Sequence, residues 1–287
     1  MKYIIEKLTA ENESALYVID GENVQSKRIG SLRVKAMKLA LASFSVHTGK
    51  VFFCSSVPDV SSNSFYEKNI KLLMQEGMTT LVTTAETDFS YNVNSSIKRL
   101  KHALISSPAD YSIGIQAPCS RLTPELVKEC NRHRVPFIRF SATCREDLLR
   151  IPWEWIRDAN YLFRLVFVPD FQKCLPDKAR LKLLKEWEIL ANEKNIPYCG
   201  EFQDEKELSA TFLKKTGLYP VKGTFHSGSH ADYFLSFAHS PYQVPEVAVI
   251  RGRIVYIRQN GWFYKGFGKE IKVRQTGRFG FQSPPRV

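Results

Sequence analysis

The chain has 287 residues and a mass of 32.9 kDa, and its 44% hydrophobic and 24% charged residues are typical of a globular protein of one or two domains. A total of 41 Lys and Arg residues against 29 Asp and Glu residues gives a net charge of +12, which favours acidic partners. No apolar run is long enough to span a bilayer and the first residues do not form a signal peptide, so we expect a cytoplasmic protein without a membrane span.

The first fifty residues are predicted to form strands. "YIIEKL" and "ALYVID" are short apolar runs, and a turn at residues 21–23 follows the second of them. "AMKLALASFSVH" alternates in part between apolar and polar residues, with the period of two that strands have. Residues 1–50 are therefore predicted to contribute strands to a small β-sheet domain.

Residues 51–216 alternate between short apolar strands and longer helical patterns, in about six βα units. The predicted helices include residues 64–77 and a single helical pattern over 145–159, and the last unit is a strand at 196–202 that leads to a helix at 204–217. Thr123 is the predicted N-cap of one helix, and Pro124 occupies its first position. Strands that alternate with helices predict a parallel sheet with both faces covered, either a doubly wound open sheet or a barrel.

After Gly217 the helical patterns stop and strands return. "VIRGRIVYIRQNG" is predicted to be a β-hairpin, and the predicted strands beside it are "TFHSG", "ADYFLSFAHS" and "FGKEIKV". Because both ends of the chain are rich in strands, we expect them to form one sheet domain. The predicted divisions are residues 1–50, 51–216, 217–275 and a flexible tail at 276–287.

The stretch "GLYPVKGTFHSGSHADYFL", followed by the hairpin, resembles the closing segment of the amidohydrolase superfamily, in its dihydroorotase and hydantoinase-like branch. More faintly, residues 45–63 and 72–87 are similar to that family's first two barrel strands. The resemblance implies an α/β fold, an incomplete TIM-like (β/α) barrel of about six units plus a small β-sandwich formed by both termini. The matching residues are Gly217, Pro220, Lys222, Gly223, Gly228, Ala231, Asp232, Arg251, Gly252 and Val255. Gly223 and Gly228 permit turns with positive φ, and Asp232, which precedes an apolar strand, can accept hydrogen bonds from turn amides.

The resemblance also implies a metal site, built from paired histidines, a carboxylated lysine, two further histidines and an aspartate that acts as general base. Residues 60–63 read Val-Ser-Ser-Asn where the first histidine pair belongs, and Arg139 stands where a lysine would be carboxylated. His226 and His230 have a spacing that suits a helical metal site, but they span a glycine-containing turn. The sequence therefore predicts no metal site and no cofactor.

The barrel segment is also short. Residues 51–216 fall below the ~200 residues that a complete eightfold barrel requires, and the last two strands are missing from the pattern. An open barrel has unpaired strand edges, so we expect a homodimer or a protein partner that covers the edge.

Carboxylates at the predicted C-terminal ends of strands are the candidate catalytic residues, because sites in barrels lie on that face. Carboxylates that converge can hold a hard cation or act as acids and bases. The alternative is that acidic residues merely favour helix N-termini. The candidates are Asp59, Asp88, Asp170 and Glu201, with Glu86 beside them.

Residues 260–269, "NGWFYKGFGK", combine aromatic and basic residues in one loop. This composition suits contact with a partner, and the predicted contact residues are Trp262, Phe263, Lys265 and Lys269. The basic charge also thickens from Lys265 to Arg286, where the only acidic residue is Glu270.

Three functional hypotheses follow from the sequence. The first is a catalytically degenerate amidohydrolase-like protein, a pseudoenzyme kept for binding, scaffolding or regulation. The second is a hydrolase of C–N bonds in small cyclic or linear amides, with a rebuilt carboxylate site. The third is a basic protein that binds nucleic acid or an anionic surface through its C-terminal strands.

Overall fold

The structure is a computed structural model, and it describes residues 2–8, 14–29, 35–41, 43–55, 70, 74–171, 176–239, 243–274 and 276. The helix predicted between residues 64 and 77 and the predicted tail lie mostly outside these ranges. None of the described helices is both long and apolar enough to cross a bilayer.

The N-terminal strands form a four-stranded sheet in the order β3-β2-β1-β4. Strands β1, β2 and β3 make an antiparallel meander, and β4 joins β1 in parallel. The bounds of the strands are Lys2–Leu8 (β1), Ser14–Asp20 (β2), Asn23–Ile29 (β3) and Met37–Lys38 (β4).

Both ends of the chain meet in a second, antiparallel sheet. Strand β5 pairs with β12 from the far end of the chain, so the two termini share one sheet. The predicted hairpin is confirmed as β13 and β14, which join through a turn at Arg251 and Gly252. The sheet order is β15-β14-β13-β12-β5, with bounds Phe44–Thr48 (β5), Tyr233–Phe237 (β12), Val247–Ile250 (β13), Arg253–Ile257 (β14) and Trp262–Phe263 (β15).

Between the two ends lies a six-stranded sheet in the order β10-β9-β8-β7-β6-β11. Its first five strands are parallel and lie side by side in chain order, which is the arrangement of successive βα units in a barrel wall. The bounds are Lys50–Phe53 (β6), Met78–Glu86 (β7), Asp110–Pro118 (β8), Phe137–Ser141 (β9), Val166–Pro169 (β10) and Lys206–Glu207 (β11).

Helices follow the barrel strands. Thr123 caps the second helix as predicted, since its hydroxyl accepts a hydrogen bond from the Leu126 amide at 3.2 Å. Pro152 separates two short helices where a single helical pattern was expected. The described helices are Val93–Ala103 (α1), Pro124–Arg132 (α2), Arg145–Leu149 (α3), Trp153–Ala159 (α4), Asp177–Glu193 (α5) and Ala210–Thr216 (α6).

Three predicted strands are not regular strands. Residues 224–228 end in a turn at Gly228, whose φ is 89°, and the Gly228 amide donates to Val24 of β3 without forming a regular ladder. Residues 267–273 and 197–202 make only isolated bridges, Glu270 with Tyr111 and Tyr198 with Phe167.

Residues 197–208 contact both edges of the barrel sheet. At one end the Phe167 amide of β10 donates to Pro197 and the Cys199 amide donates back to Phe167. At the other end β11 pairs antiparallel with β6, on the opposite edge. The open edges that motivated the prediction of a dimer or covering partner are thus partly paired within the chain, and the partner itself stays a prediction.

The predicted fold class, an incomplete TIM-like barrel with a β-sandwich built by both termini, is confirmed. One hydrophobic core fills the barrel and extends to Phe234 and Tyr256 of the second sheet. A separate core lies in the sandwich, around Ile5, Tyr17 and Phe225. The boundaries proposed for the four segments stay a prediction.

Candidate functional site

The C-terminal ends of the barrel strands, which we call the barrel mouth, contain a buried ion pair. Arg139 lies on β9 and Asp170 directly follows β10, so parallel neighbours bring the two side chains together. Arg139 Nη2 lies 2.9 Å from Asp170 Oδ1, and each side chain is only 3% exposed. We call this the mouth pair. Gln116 Nε2, on β8, lies 3.5 Å from the other Asp170 oxygen.

Aromatic rings enclose the Arg139 guanidinium. Its centre lies 4.8 Å from the Phe53 ring and 5.4 Å from the Phe202 ring. Burial lowers the pKa of Arg139, while Asp170, Asp204 and Glu201 act in the opposite direction. An arginine keeps its proton in proteins, so the barrel mouth holds a fixed positive charge.

The other carboxylates of the mouth are also engaged. Glu201 accepts a hydrogen bond from the Phe171 amide at 2.7 Å, and its second oxygen lies 3.6 Å from Arg180 Nη1. Asp204 accepts from the Ser55 amide at 2.6 Å and from the Ser55 hydroxyl at 2.5 Å. These contacts hold the residues after β10 and the residues after β6 to the segment 197–208.

The structure brings two of the candidate catalytic residues together and separates a third. Asp170 and Glu201 both lie near Arg139 at the mouth. Asp88 lies instead with Glu86 and Arg99 in a polar cavity of about 410 Å³ beside α1. Asp59 falls outside the described residues. A catalytic role for these residues stays a prediction.

Sequence reasoning noticed Arg139 and Asp170 separately but did not pair them. The available signal was a lone arginine inside the apolar strand "FIRF" and an aspartate at the end of the next strand, "VFVPD". Neighbouring parallel strands align such positions. Ser55 and Asp204 were missed, because 149 residues separate them and nothing local marks their contact.

A second buried charge network lies at the opposite end of the barrel, where the chain passes to the sandwich. The Lys222 ammonium lies 2.5 Å from Asp110 Oδ2 and 2.5 Å from Asp232 Oδ2, and Lys222 is fully buried. Arg251 Nε lies 3.1 Å from Asp110, and the Arg251 amide donates to Asp232 Oδ1 at 2.8 Å. The Lys269 amide donates to the other Asp110 oxygen at 2.8 Å. We call this the joint network.

Neither network fits a metal ion. Among the described residues, one trio of potential ligands has atoms within 4.8 Å of one another, namely Asp110, His230 and Asp232. The Lys222 ammonium already bonds both carboxylates and takes the place of a cation. Burial, followed by the charge on Lys222, lowers the pKa of His230. Asp110 also begins β8, so this trio lies on the face opposite the mouth.

The mouth lacks the imidazole ligands that the amidohydrolase resemblance implies. All six histidines of the chain are described, and none lies at the C-terminal end of a barrel strand. The carboxylates around Arg139, namely Asp170, Glu201 and Asp204, are already bonded to arginine, serine or backbone groups. The six histidines lie on β5 (His47), on α1 (His102), at the end of α2 (His133), in the passage before β12 (His226 and His230) and in the turn after β12 (His239).

The predicted partner-contact residues lie on and after the edge strand β15. Trp262 is 44% exposed, and Lys265 Nζ lies 5.7 Å from the Phe263 ring. Lys269 Nζ lies 3.2 Å from Glu22 of the β2–β3 turn. Trp262, Phe263 and Lys265 therefore lie at the sheet edge and Lys269 lies beside the β2–β3 turn, and partner binding through these residues stays a prediction.

Solved structures of amidohydrolase enzymes share this fold. Dihydropyrimidinase from Brevibacillus agri matches with a TM-score of 0.68 and 12% identity, over 97% of this chain and 100% of that chain. A D-hydantoinase gives a TM-score of 0.67 and 13% identity, over 96% and 99%. A prolidase complexed with N-methylphosphonate-L-proline gives 0.52 and 11%, over 90% and 100%.

No family model and no curated protein sequence matches the chain. The predicted resemblance to the amidohydrolase superfamily is confirmed at the level of the fold. At such low identity the likeness shows the architecture alone, and the chemistry of the mouth depends on this chain's own residues.

Proposed function

We propose that the protein is a catalytically degenerate amidohydrolase-like protein with a binding or scaffolding role. The observation that supports this most directly is the mouth pair. Arg139 stands on the strand where the resemblance implies a carboxylated lysine, and its guanidinium is buried against Asp170. A lysine carbamate is an anionic metal ligand, whereas a guanidinium is a cation.

Arginine in place of an anionic lysine carbamate disfavours metal binding at the mouth in two ways. The Arg139 guanidinium already supplies the positive charge beside Asp170, so a metal ion at that place would have to displace it. Asp170 is also already neutralised by Arg139, so it is a poor ligand. Releasing it would leave a buried arginine without its partner, which is costly.

The hydrolase hypothesis keeps one supporting observation beyond the fold. Three carboxylates, Asp170, Glu201 and Asp204, surround one guanidinium at the face where barrel enzymes act. The similar structures named above are a dihydropyrimidinase, a D-hydantoinase and a prolidase, and the first two favour a cyclic amide as the substrate in that case. Without a metal, one of these carboxylates would have to serve as general base.

Metal analysis and turnover measured on the same purified protein separate the two hypotheses. We expect zinc, manganese and iron far below one ion per chain, and no hydrolysis of hydantoin or dihydrouracil above the buffer rate. Stoichiometric metal with ring opening would overturn the proposal. Any turnover should then be tested in Asp170→Asn and Glu201→Gln, with Glu188→Gln on the exposed face of α5 as the control.

A further inference from the structure

We propose that single-stranded nucleic acid binds a surface formed by the β15 loop and the end of α1. The loop contributes Trp262, Tyr264, Lys265 and Lys269, and the end of α1 contributes Lys101. We call this the aromatic–basic surface. The inference is independent of whether the barrel is catalytic, because the surface lies on the sandwich side of the molecule and includes no residue of the mouth.

Three aromatic rings of the loop are aligned. The Trp262 and Tyr264 rings lie 6.2 Å apart between centroids and 20° from parallel. The Tyr264 and Phe267 rings lie 5.4 Å apart and 28° from parallel. Trp262, at one end of the row, is 44% exposed and Tyr264, in the middle, is 47% exposed, so solvent reaches both of these rings. Exposed, ordered rings of this kind are platforms on which bases stack.

The platform is anchored to the rigid part of the molecule. The Arg251 guanidinium lies 4.3 Å from the Phe267 ring and belongs to the joint network. Gly266 and Gly268 donate their amides to Ser106 and Ser107, at 3.0 Å and 2.8 Å. A ligand would therefore meet rings that are already positioned, which lowers the ordering cost of binding.

The surroundings are basic. Residues 251–274 contain seven Lys and Arg residues and one acidic residue, Glu270, while residues 93–107 contain three basic residues and no acidic one. The hydrogen bonds that the Gly266 and Gly268 amides donate place these two segments side by side. Lys101 is paired with Glu270 at 2.9 Å and Lys269 with Glu22 at 3.2 Å, and basic residues still outnumber acidic ones in these two segments. The charge around the rings thus complements a phosphate backbone.

Ring orientation favours nucleic acid over a lipid surface. Membrane-binding aromatic residues insert as protruding side chains into the acyl boundary. Here the rings are less than half exposed and lie in a row against the loop. Flat faces beside lysines suit a base and its phosphate better than an acyl chain, because each nucleotide presents both a π-face and a negative charge.

Fluorescence anisotropy with a labelled 15-nucleotide oligo-dT tests the proposal. We expect binding that weakens steeply as salt rises. Trp262→Ala and Tyr264→Ala should each weaken it by about 5- to 100-fold, and Tyr264→Phe should retain it because the ring remains. Trp155→Ala is the matched control, since Trp155 is 71% exposed on α4, away from this surface. Lys265→Gln should reduce the salt slope by about 0.7.

Four results would overturn the proposal. The first is no binding at 50 mM salt by a protein whose thermal unfolding is intact. The second is equal binding by the Trp262→Ala and Trp155→Ala variants. The third is binding confined to phosphatidylserine vesicles, and the fourth is binding confined to poly-glutamate. Thermal unfolding of each variant separates a lost contact from a lost fold.

Discussion

The two ends of the barrel carry buried charges of different design. The joint network surrounds one fully buried ammonium, Lys222, with two carboxylates that are themselves bonded to Arg251 and to the Lys269 amide. The mouth pair sets one guanidinium against one carboxylate and covers the cation with aromatic rings. The joint ties three distant parts of the chain together, whereas the mouth ties neighbouring strands.

This difference shows which part of the architecture each end serves. Asp110 starts a barrel strand, Asp232 precedes a sandwich strand and Arg251 lies in the hairpin turn, so the joint network links the barrel to the sandwich. The mouth pair joins two neighbouring strands of the barrel and does not link the barrel to the sandwich. It occupies the place that the resemblance assigns to a metal site, and it fills that place with a cation.

Lys222→Ala should have the largest effect on stability. It leaves Asp110 and Asp232 buried without their shared cation, so we expect the free energy of unfolding to fall by about 5 kcal/mol. Urea unfolding measures this, with Lys185→Ala on the exposed side of α5 as the control, where the change should stay within about 0.5 kcal/mol. Equal losses in the two variants would remove the claim that the joint network holds the domains together.

The joint was the better predicted of the two ends. Gly223 and Gly228 were expected to permit turns with positive φ, and their φ values are 71° and 89°. Asp232 was expected to bond a turn amide, and it accepts from Arg251. These features are local and leave a pattern in the sequence. The pairing of Lys222 with Asp110 is not local, because 112 residues separate them, and only the folded barrel brings them together.

The barrel strands were likewise predicted, from the alternation of short apolar runs with helical patterns, but the conformation of the segment 197–208 was not. Residues 197–208 were expected to form a strand followed by a helix. Their conformation is decided by hydrogen bonds to β10 at one end and β6 at the other, which are opposite edges of the sheet. Pairing with distant strands overrides local preference, so no pattern within the segment shows it.

Replacing the mouth pair should have a smaller and recoverable effect. Arg139→Met leaves Asp170 buried with, in the described part of the chain, only the Gln116 amide at 3.5 Å as a side-chain partner, so we expect a loss of about 3 kcal/mol. Adding Asp170→Leu removes the orphaned charge and should restore most of that loss, because apolar residues can replace a buried pair without penalty. Urea unfolding of the two single variants and the double variant gives the coupling energy. Strictly additive losses would show that the two side chains do not depend on each other.

Two glycine substitutions provide the finest contrast between the ends. In Gly268→Ala the new Cβ would lie 2.0 Å from the Ala109 carbonyl oxygen, so the backbone must shift and the bond from the Lys269 amide to Asp110 must lengthen. We expect a loss of about 2 kcal/mol. At Gly200, beside Glu201 at the mouth, an added Cβ would meet no atom of a non-neighbouring residue within 4 Å. Gly200→Ala should therefore change stability by less than about 0.5 kcal/mol. Thermal unfolding of the pair measures the difference. A comparable loss at Gly200 would mean that the mouth tolerates change no better than the joint, and the contrast between the two ends would then lie in their charges alone.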